Sequence, residues 1–234
     1  IYRSINFSYK DEYKHLISSG LYKKLVKSKL LIPHEEIKKT LPSAYKIIKP
    51  TKVSFISYPY EWCFTQLKDA ALTILKIQKN ALEHGMILKD ASAFNIQFHE
   101  GKPLMIDTLS FKRYREGEPW IAYRQFCMHF LAQLLLMKYK NIQLNKLLRI
   151  YINGIPLDLT SCLLPLRTWF KPLPLIHIHL HARSESHFAV KRIDFKQAQI
   201  SKQGLVGLID SLENSVSNLN INIPQKSLFA YYKD

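Results

Sequence analysis

The stretch of sequence that decides the fold reads HGMILKDASAFNI at residues 84–96, and the segment MIDT follows it at residues 105–108. Asn95 lies five residues after Asp90, and Asp107 lies twelve residues after Asn95. Carboxylate and amide oxygens are the hard ligands that Mg²⁺ prefers, and a loop carboxylate can orient an attacking hydroxyl. These residue types make Asn95 and Asp107 candidate metal ligands, and Asp90 a candidate catalytic base or orienting group.

A hairpin is predicted between the two metal ligands. The β-type triplets Ile96–Phe98 and Leu104–Ile106 flank a turn that contains Gly101. A hairpin returns the chain to its starting point, so we expect it to bring Asn95 and Asp107 together.

Helices are predicted on both sides of this hairpin. Apolar residues share one face over Trp62–His84, and Gly85 is well placed to end that helix. Pro119 opens a second helix over Trp120–Tyr139, which is apolar nearly all round and should be central and buried. Gln203–Leu219 predicts a last amphipathic helix.

The residues before the first of these helices alternate between strand and helix patterns. Tyr2–Asn6 predicts a strand, Tyr9–Val26 predicts a helix, and the runs Ala44–Ile48 and Val53–Tyr58 predict a hairpin. Pro59 then stops strand pairing, which predicts a hinge at this point.

The expected fold is therefore α+β with two lobes, a truncated small β lobe and a mostly helical large lobe. We assign residues 1–58 to the partial small lobe, residues 59–222 to the large lobe with the catalytic-type loop, and residues 223–234 to a linker towards a missing C-terminal domain. The chain begins at Ile1 without a signal peptide, so we expect it to start mid-protein. Three widely spaced cysteines favour a reducing compartment, which predicts a cytoplasmic protein.

The composition points to an anionic partner. The 234 residues include 34 Lys and Arg against 18 Asp and Glu, which gives a formal net charge of +16. Such a charge favours a nucleotide, an anionic small molecule or glycan, or another polyanion. The sequence has no transmembrane segment, and its seven glycines form no phosphate-binding loop of the Gly-x-Gly type.

The order of these elements, with Asp90, Asn95 and Asp107, resembles the protein-kinase-like fold. The likeness is greatest to its small-molecule branch, which includes aminoglycoside and choline-type phosphotransferases and lipopolysaccharide-core sugar kinases. It implies a transferase that uses Mg²⁺ and ATP on a small-molecule or glycan hydroxyl. The chain departs from that pattern at Leu88, where such kinases usually carry histidine, and at Thr108-Leu109, where protein kinases carry Phe-Gly.

The same resemblance implies where a nucleotide would bind. Arg3 occupies the strand position of the phosphate-binding lysine, and Glu12 is a candidate partner for it. Backbone groups near Ser57 and Tyr58 would face the adenine.

A second resemblance covers more of the chain. The segments ISYPYEW, LKDAAL, YREGEPW and NGIPLDL, at residues 56–62, 67–72, 114–120 and 153–159, are similar to the N-terminal region of bacterial class I S-adenosylmethionine-dependent methyltransferase proteins, some of them nodulation-related. In those proteins the methyltransferase domain follows. This likeness implies that S-adenosylmethionine would bind only in a covalently linked domain absent from this chain.

Two other functions stay open at this point. The chain is alternatively a non-catalytic kinase-like module that presents substrate to, or regulates, a methyltransferase domain. It is alternatively a basic domain that binds polyanions, although no motif supports sequence-specific nucleic-acid binding. His177, His179 and His181 alternate, so on a strand they would share one face, and we expect a polar strand face there and no metal site.

Overall fold

The computed structural model describes residues 1–38, 41–183 and 199–221. These residues form both helices and strands, which confirms the α+β class. The predicted linker at residues 223–234 lies outside the described residues, and the division into lobes stays a prediction.

The amino-terminal part is a three-stranded antiparallel sheet with two helices. In chain order it contains β1 (Arg3–Asn6), α1 (Lys10–Ser18), α2 (Leu21–Lys27), β2 (His34–Ile37) and β3 (Ala44–Pro50). The strand order is β1-β3-β2, so β3 is central. One helix was predicted over Tyr9–Val26, but the structure has two, because Gly20 adopts a left-handed φ of 82° between them.

The predicted hairpin of the small sheet is wrong in its second strand. Val53–Tyr58 is not a strand, and β3 pairs instead with β2, with Glu35 opposite Lys49. The Thr51 N–H donates to the Pro33 carbonyl at 2.9 Å, which extends this pairing past the end of β3. Strand β2 thus makes the hydrogen bonds to β3 that Val53–Tyr58 was predicted to make.

The helix and the hairpin around the deciding stretch are confirmed. Helix α3 runs over Phe64–Glu83, and Gly85 follows it with φ of 69°. Strand β4 (Met86–Leu88) pairs with β7 (Phe111–Arg113), while β5 (Ile96–His99) and β6 (Lys102–Met105) form the hairpin.

Backbone bonds join the segment between α2 and β2 to this hairpin. The Met105 N–H donates to the Leu30 carbonyl at 2.8 Å, and the Ile32 N–H donates to the Met105 carbonyl at 2.9 Å. The segment that enters β2 therefore lies against β6, and a cleft opens between the sheet and the hairpin.

The predicted central helix is confirmed as buried, but it starts three residues late and is irregular. It consists of α4 (Tyr123–Phe126), a π-helical segment (Cys127–Leu131) and α5 (Ala132–Tyr139). Trp120 precedes the helix, and its buried indole N–H donates to the Leu88 carbonyl at 3.1 Å.

A glycine lets a loop pass directly over the π-helical segment. A Cβ built on Gly154 would stand 2.6 Å from the Cβ of Met128 and 3.1 Å from Cδ2 of His129, and its φ is 99°. The Ile155 N–H donates to the Met128 carbonyl at 3.0 Å. His129 is thereby enclosed between the helix and this loop.

Further helical segments follow the central helix. These are two 3₁₀ segments (Ile142–Arg149 and Leu166–Phe170), α6 (Leu157–Leu163), α7 (Pro172–Pro174), a π-helical turn (Leu175–His179) and α8 (Lys202–Ser217). Helix α8 confirms the predicted last helix, and it packs on α3. No helix in the described part of the chain is long and apolar enough to cross a bilayer.

The three alternating histidines lie on a helix, so the expectation of a strand is wrong. Pro172 and Pro174 fit the first turn of a helix, which continues through His177 and His179. The His177 Nδ1 contacts the Tyr123 hydroxyl at 2.5 Å, whereas His179 contacts hydroxyl groups elsewhere. The residues of the described ranges contain no cluster of three or more metal-ligating His, Cys, Asp or Glu.

Because His129 is buried, we expect the free energy of unfolding to fall in acid. Burial lowers its pKa to about 4, although the charge of Asp90 opposes this shift. The unfolded chain takes up the proton near pH 6.5 and the folded chain only near pH 4, so the free energy of unfolding should fall by up to roughly 3 kcal/mol across this interval. We expect His129→Gln to reduce this slope in urea unfolding measured from pH 7 to pH 4.

An exposed histidine provides the control. His99→Gln should leave the slope of the wild type unchanged, because about half of this side chain is accessible to water. Equal slopes for wild type and His129→Gln would show that the imidazole does not titrate across this interval.

Candidate functional site

The loop that carries Asp90 is fixed by short-range hydrogen bonds. The Ser92 N–H donates to Oδ1 of Asp90 at 2.9 Å, and the Phe94 N–H donates to Oγ of Ser92 at 3.2 Å. The Ala91 N–H donates to Oε1 of Gln125 on the central helix at 2.7 Å. Asp90 itself is half-buried, so its carboxylate is held in place and still reachable from solvent.

Asn95 and Asp107 meet through a third side chain. The Ser110 hydroxyl donates to Oδ2 of Asp107 at 2.5 Å and accepts from Nδ2 of Asn95 at 3.5 Å. The Ile106 N–H also donates to the Asn95 carbonyl at 2.8 Å. The hairpin thus brings the two residues together, and the side-chain oxygen of Asn95 is left for another ligand.

A backbone bond connects this pair to the Asp90 loop. The Lys89 N–H donates to the Ser110 carbonyl at 2.9 Å, directly beside Asp90 and three residues after Asp107. Backbone hydrogen bonds therefore join the chain segments of all three predicted residues.

Arg3 reaches these segments from the sheet. Its Nη1 donates to the Ile106 carbonyl at 2.9 Å and to Oδ1 of Asp107 at 3.1 Å. The Leu109 N–H donates to the same carboxylate oxygen at 3.3 Å. The side chains of Arg3 and Asp107 keep 32% and 27% of their exposure, so a solvent-borne ligand can reach the pair.

Glu12 does not pair with Arg3. Its carboxylate accepts from the Arg113 N–H at 2.6 Å and lies 3.7 Å from the guanidinium of the same residue. The suggestion that Glu12 partners Arg3 is therefore wrong, because α1 directs it to β7.

A cavity of about 800 Å³ occupies the cleft beside Arg3. Glu35, Lys49 and Lys52 provide further charged groups on its wall. Its apolar wall comes from Ile1, Ile32, Pro50, Val53, Ile56 and Ile106. The volume suits a ligand of nucleotide size, which would have one charged end and apolar contacts elsewhere.

Ser57 and Tyr58 do not line this cavity, and their backbone groups are already bonded. The Ser57 N–H donates to Oε1 of Gln97 at 3.0 Å, while Nε2 of Gln97 donates to the Ser57 carbonyl at 3.0 Å. The Tyr58 N–H donates to Glu61 at 2.8 Å. A base that bound there would have to displace a glutamine amide that is only 3% exposed.

Sequence reasoning missed three residues of this region, namely Ser110, Gln97 and Tyr9. The Tyr9 hydroxyl donates to the Phe111 carbonyl at 2.5 Å, and burial raises its pKa. The ammonium of Lys89 lies 4.4 Å from the centre of the Tyr9 ring. The only sequence signal was the position of Ser110 three residues after Asp107, since Tyr9 and Gln97 act through contacts distant in sequence.

The donor set fits Mg²⁺ only if phosphates complete its coordination. Mg²⁺ is usually held by one or two protein oxygens together with substrate phosphates and water. The Asn95 amide oxygen and the Asp107 carboxylate, linked through Ser110, match this requirement. They would hold the ion between themselves and a bound phosphate group.

Replacement of Ser110 should destabilise the fold measurably. Ser110 is 1% exposed, so Ser110→Ala leaves the Asn95 amide and one Asp107 oxygen without this partner. We expect a loss of about 1–3 kcal/mol in the free energy of unfolding, measured by urea denaturation. Ser217→Ala, at an exposed serine near the end of α8, should change it by less than about 0.5 kcal/mol.

Comparisons with known proteins give one informative similarity. No protein-family model matches the chain. The chain is 33% identical over 194 residues to the nodulation protein NoeA of Rhizobium meliloti (strain 1021), and the match covers 81% of this chain and 41% of NoeA. The chain thus spans less than half the length of this relative, and the similarity suggests a nodulation-related family.

Proposed function

We propose that this chain is a kinase-like phosphotransferase domain that binds Mg-ATP in the cleft and acts on a small-molecule or glycan hydroxyl. The observation that carries the proposal is the junction of Asn95, Ser110 and Asp107 beside Arg3. The junction combines two candidate hard oxygen ligands with one cation, and Arg3 of this group lines the cavity of about 800 Å³.

The order of the elements supports a kinase-like, two-lobed arrangement. Arg3, the cation, lies on β1, and the helices α1 and α2 follow in the chain. In the sheet, β3 lies between β1 and β2. The strands on the two sides of the predicted site also pair, β4 with β7 and β5 with β6. Fold likeness is an argument by analogy, so the side chains carry the functional claim.

Each side chain has a separate task in this proposal. The Arg3 guanidinium contacts phosphate oxygens when they displace it from Asp107. Asn95 and Asp107 hold the metal, which supplies charge neutralisation to the phosphates when bound. Asp90 accepts a hydrogen bond from the acceptor hydroxyl and orients its oxygen towards the terminal phosphate.

A second function is favoured by a different observation. Both backbone groups of Ser57 are bonded to Gln97, and the Asp107 carboxylate already has Arg3, Ser110 and the Leu109 N–H as partners. A site whose polar groups are satisfied within the chain suits a non-catalytic module. In this second proposal the chain binds substrate for, or regulates, a methyltransferase domain that is covalently linked to it in a longer protein.

Ligand-induced stabilisation separates these functions. Mg-ATP at a hundred times its dissociation constant should stabilise the wild type by about 2.7 kcal/mol. Asp107→Ala should abolish this gain, since it removes the metal ligand, while Asp90→Asn should keep the gain and lose phosphate transfer. Thermal melting with and without Mg-ATP measures the stabilisation, and each variant is compared with its own ligand-free melting temperature. Release of ADP measures phosphate transfer.

The control is Asp69→Ala, at an exposed position of α3, which should behave as the wild type. If Mg-ATP fails to stabilise the wild type, the phosphotransferase proposal is wrong and the non-catalytic module is favoured. If stabilisation survives Asp107→Ala but disappears at 0.5 M salt, the chain binds polyanions through its net charge.

A further inference from the structure

A second cavity lies next to the cleft and has a different lining. Its volume is about 320 Å³, and it shares Ile32, Thr51, Lys52 and Val53 with the cleft cavity as a common wall. Arg3 and Ile106 line the cleft cavity and are absent from the lining of this second cavity. We call this second cavity the lysine-rimmed chamber.

Three chain segments enclose the chamber. The segment after α2 is bonded to β6 through Leu30 and Met105, and this brings Lys29 close to the hairpin turn. Its ammonium lies 3.4 Å from the Glu100 carboxylate in that turn. The bond from the Thr51 N–H to the Pro33 carbonyl joins the third segment to the first.

The walls of the chamber are apolar. Leu31, Ile32 and Leu104 line it and are at most 8% exposed, so they belong to the packed interior of the protein. Val26, Pro33 and Val53 complete this lining. About ten water-sized groups fill such a volume, which suits the tail of a small amphiphile better than a sugar.

The rim of the chamber is basic. Lys29, Lys52 and Lys102 lie on it, together with His99 and a single carboxylate from Glu100. Lys29 and Glu100 keep 76% and 69% of their side-chain exposure, so their ion pair is weak. Two lysines remain to balance a negative head group at the mouth.

We propose that the lysine-rimmed chamber binds a small single-tailed anionic amphiphile, with its tail among the apolar walls and its anionic head among the lysines. The pairing of an apolar pocket with a cationic rim selects ligands that carry both features. The inference does not depend on phosphoryl transfer in the cleft, because its own residues carry it. The shared wall at Lys52 and Val53 would let occupancy of one cavity affect the other.

The probe is n-octyl phosphate, kept below its micelle concentration, in isothermal titration calorimetry with the full chain. We expect one saturable site with affinity at least ten times that for octyl glucoside or for inorganic phosphate. Lys102→Ala should weaken binding about three- to fivefold, and Lys146→Ala, at an exposed lysine outside this lining, should not.

A filling variant gives a second readout. Val26→Trp should abolish octyl phosphate binding, because the larger ring occupies the chamber, while a melting curve shows whether the variant folds. Equal affinities for all three probes would overturn the proposal. So would equal effects of Lys102→Ala and Lys146→Ala, or binding to phosphatidylglycerol vesicles without saturable binding of the soluble probe, which would indicate a charged surface instead.

Discussion

The half-buried carboxylate of Asp107 needs partners, and this need ties the sheet to the rest of the molecule. Arg3 supplies a cation from the sheet, although it is 104 residues away in sequence, and Ser110 supplies a hydroxyl. A buried charge without partners is costly, so β1 must lie where its first side chain reaches the hairpin end. The position of the cleft follows from this contact, since Arg3 also lines the cavity.

Local patterns were sufficient to predict the elements near the candidate site. The helix that ends before Gly85 and the hairpin with Gly101 in its turn carry strong signals, because periodicity and turn residues are local properties. The approach of Asn95 and Asp107 followed from that hairpin alone. The local elements and the approach of Asn95 to Asp107 were therefore predictable where the chain folds back on its nearest neighbours in sequence.

Features that depend on long-range contacts escaped prediction. The strand partner of β3 lies upstream, since the Pro33 carbonyl takes the Thr51 N–H, and no local pattern shows this choice. Gln97 looked like an ordinary strand residue, yet its amide binds both backbone groups of Ser57. The histidines alternate like strand residues, but the prolines before them start a helix. In the first two cases tertiary hydrogen bonds override the local pattern. In the third, the local signal of the prolines outweighs the alternation of the histidines.

The close approach at Gly154 couples two parts of the chain that are distant in sequence. There is no room for a side chain between Gly154 and Met128. The Ile155 N–H bonds the loop to the π-helical segment, so the loop cannot lift from this segment without breaking that bond. Amide groups of the loop and of the helix should then exchange with solvent in one cooperative opening event, and this opening would uncover His129 next to the Asp90 loop. The local stability of the Asp90 loop would then depend on the packing of the Gly154 loop against the central helix.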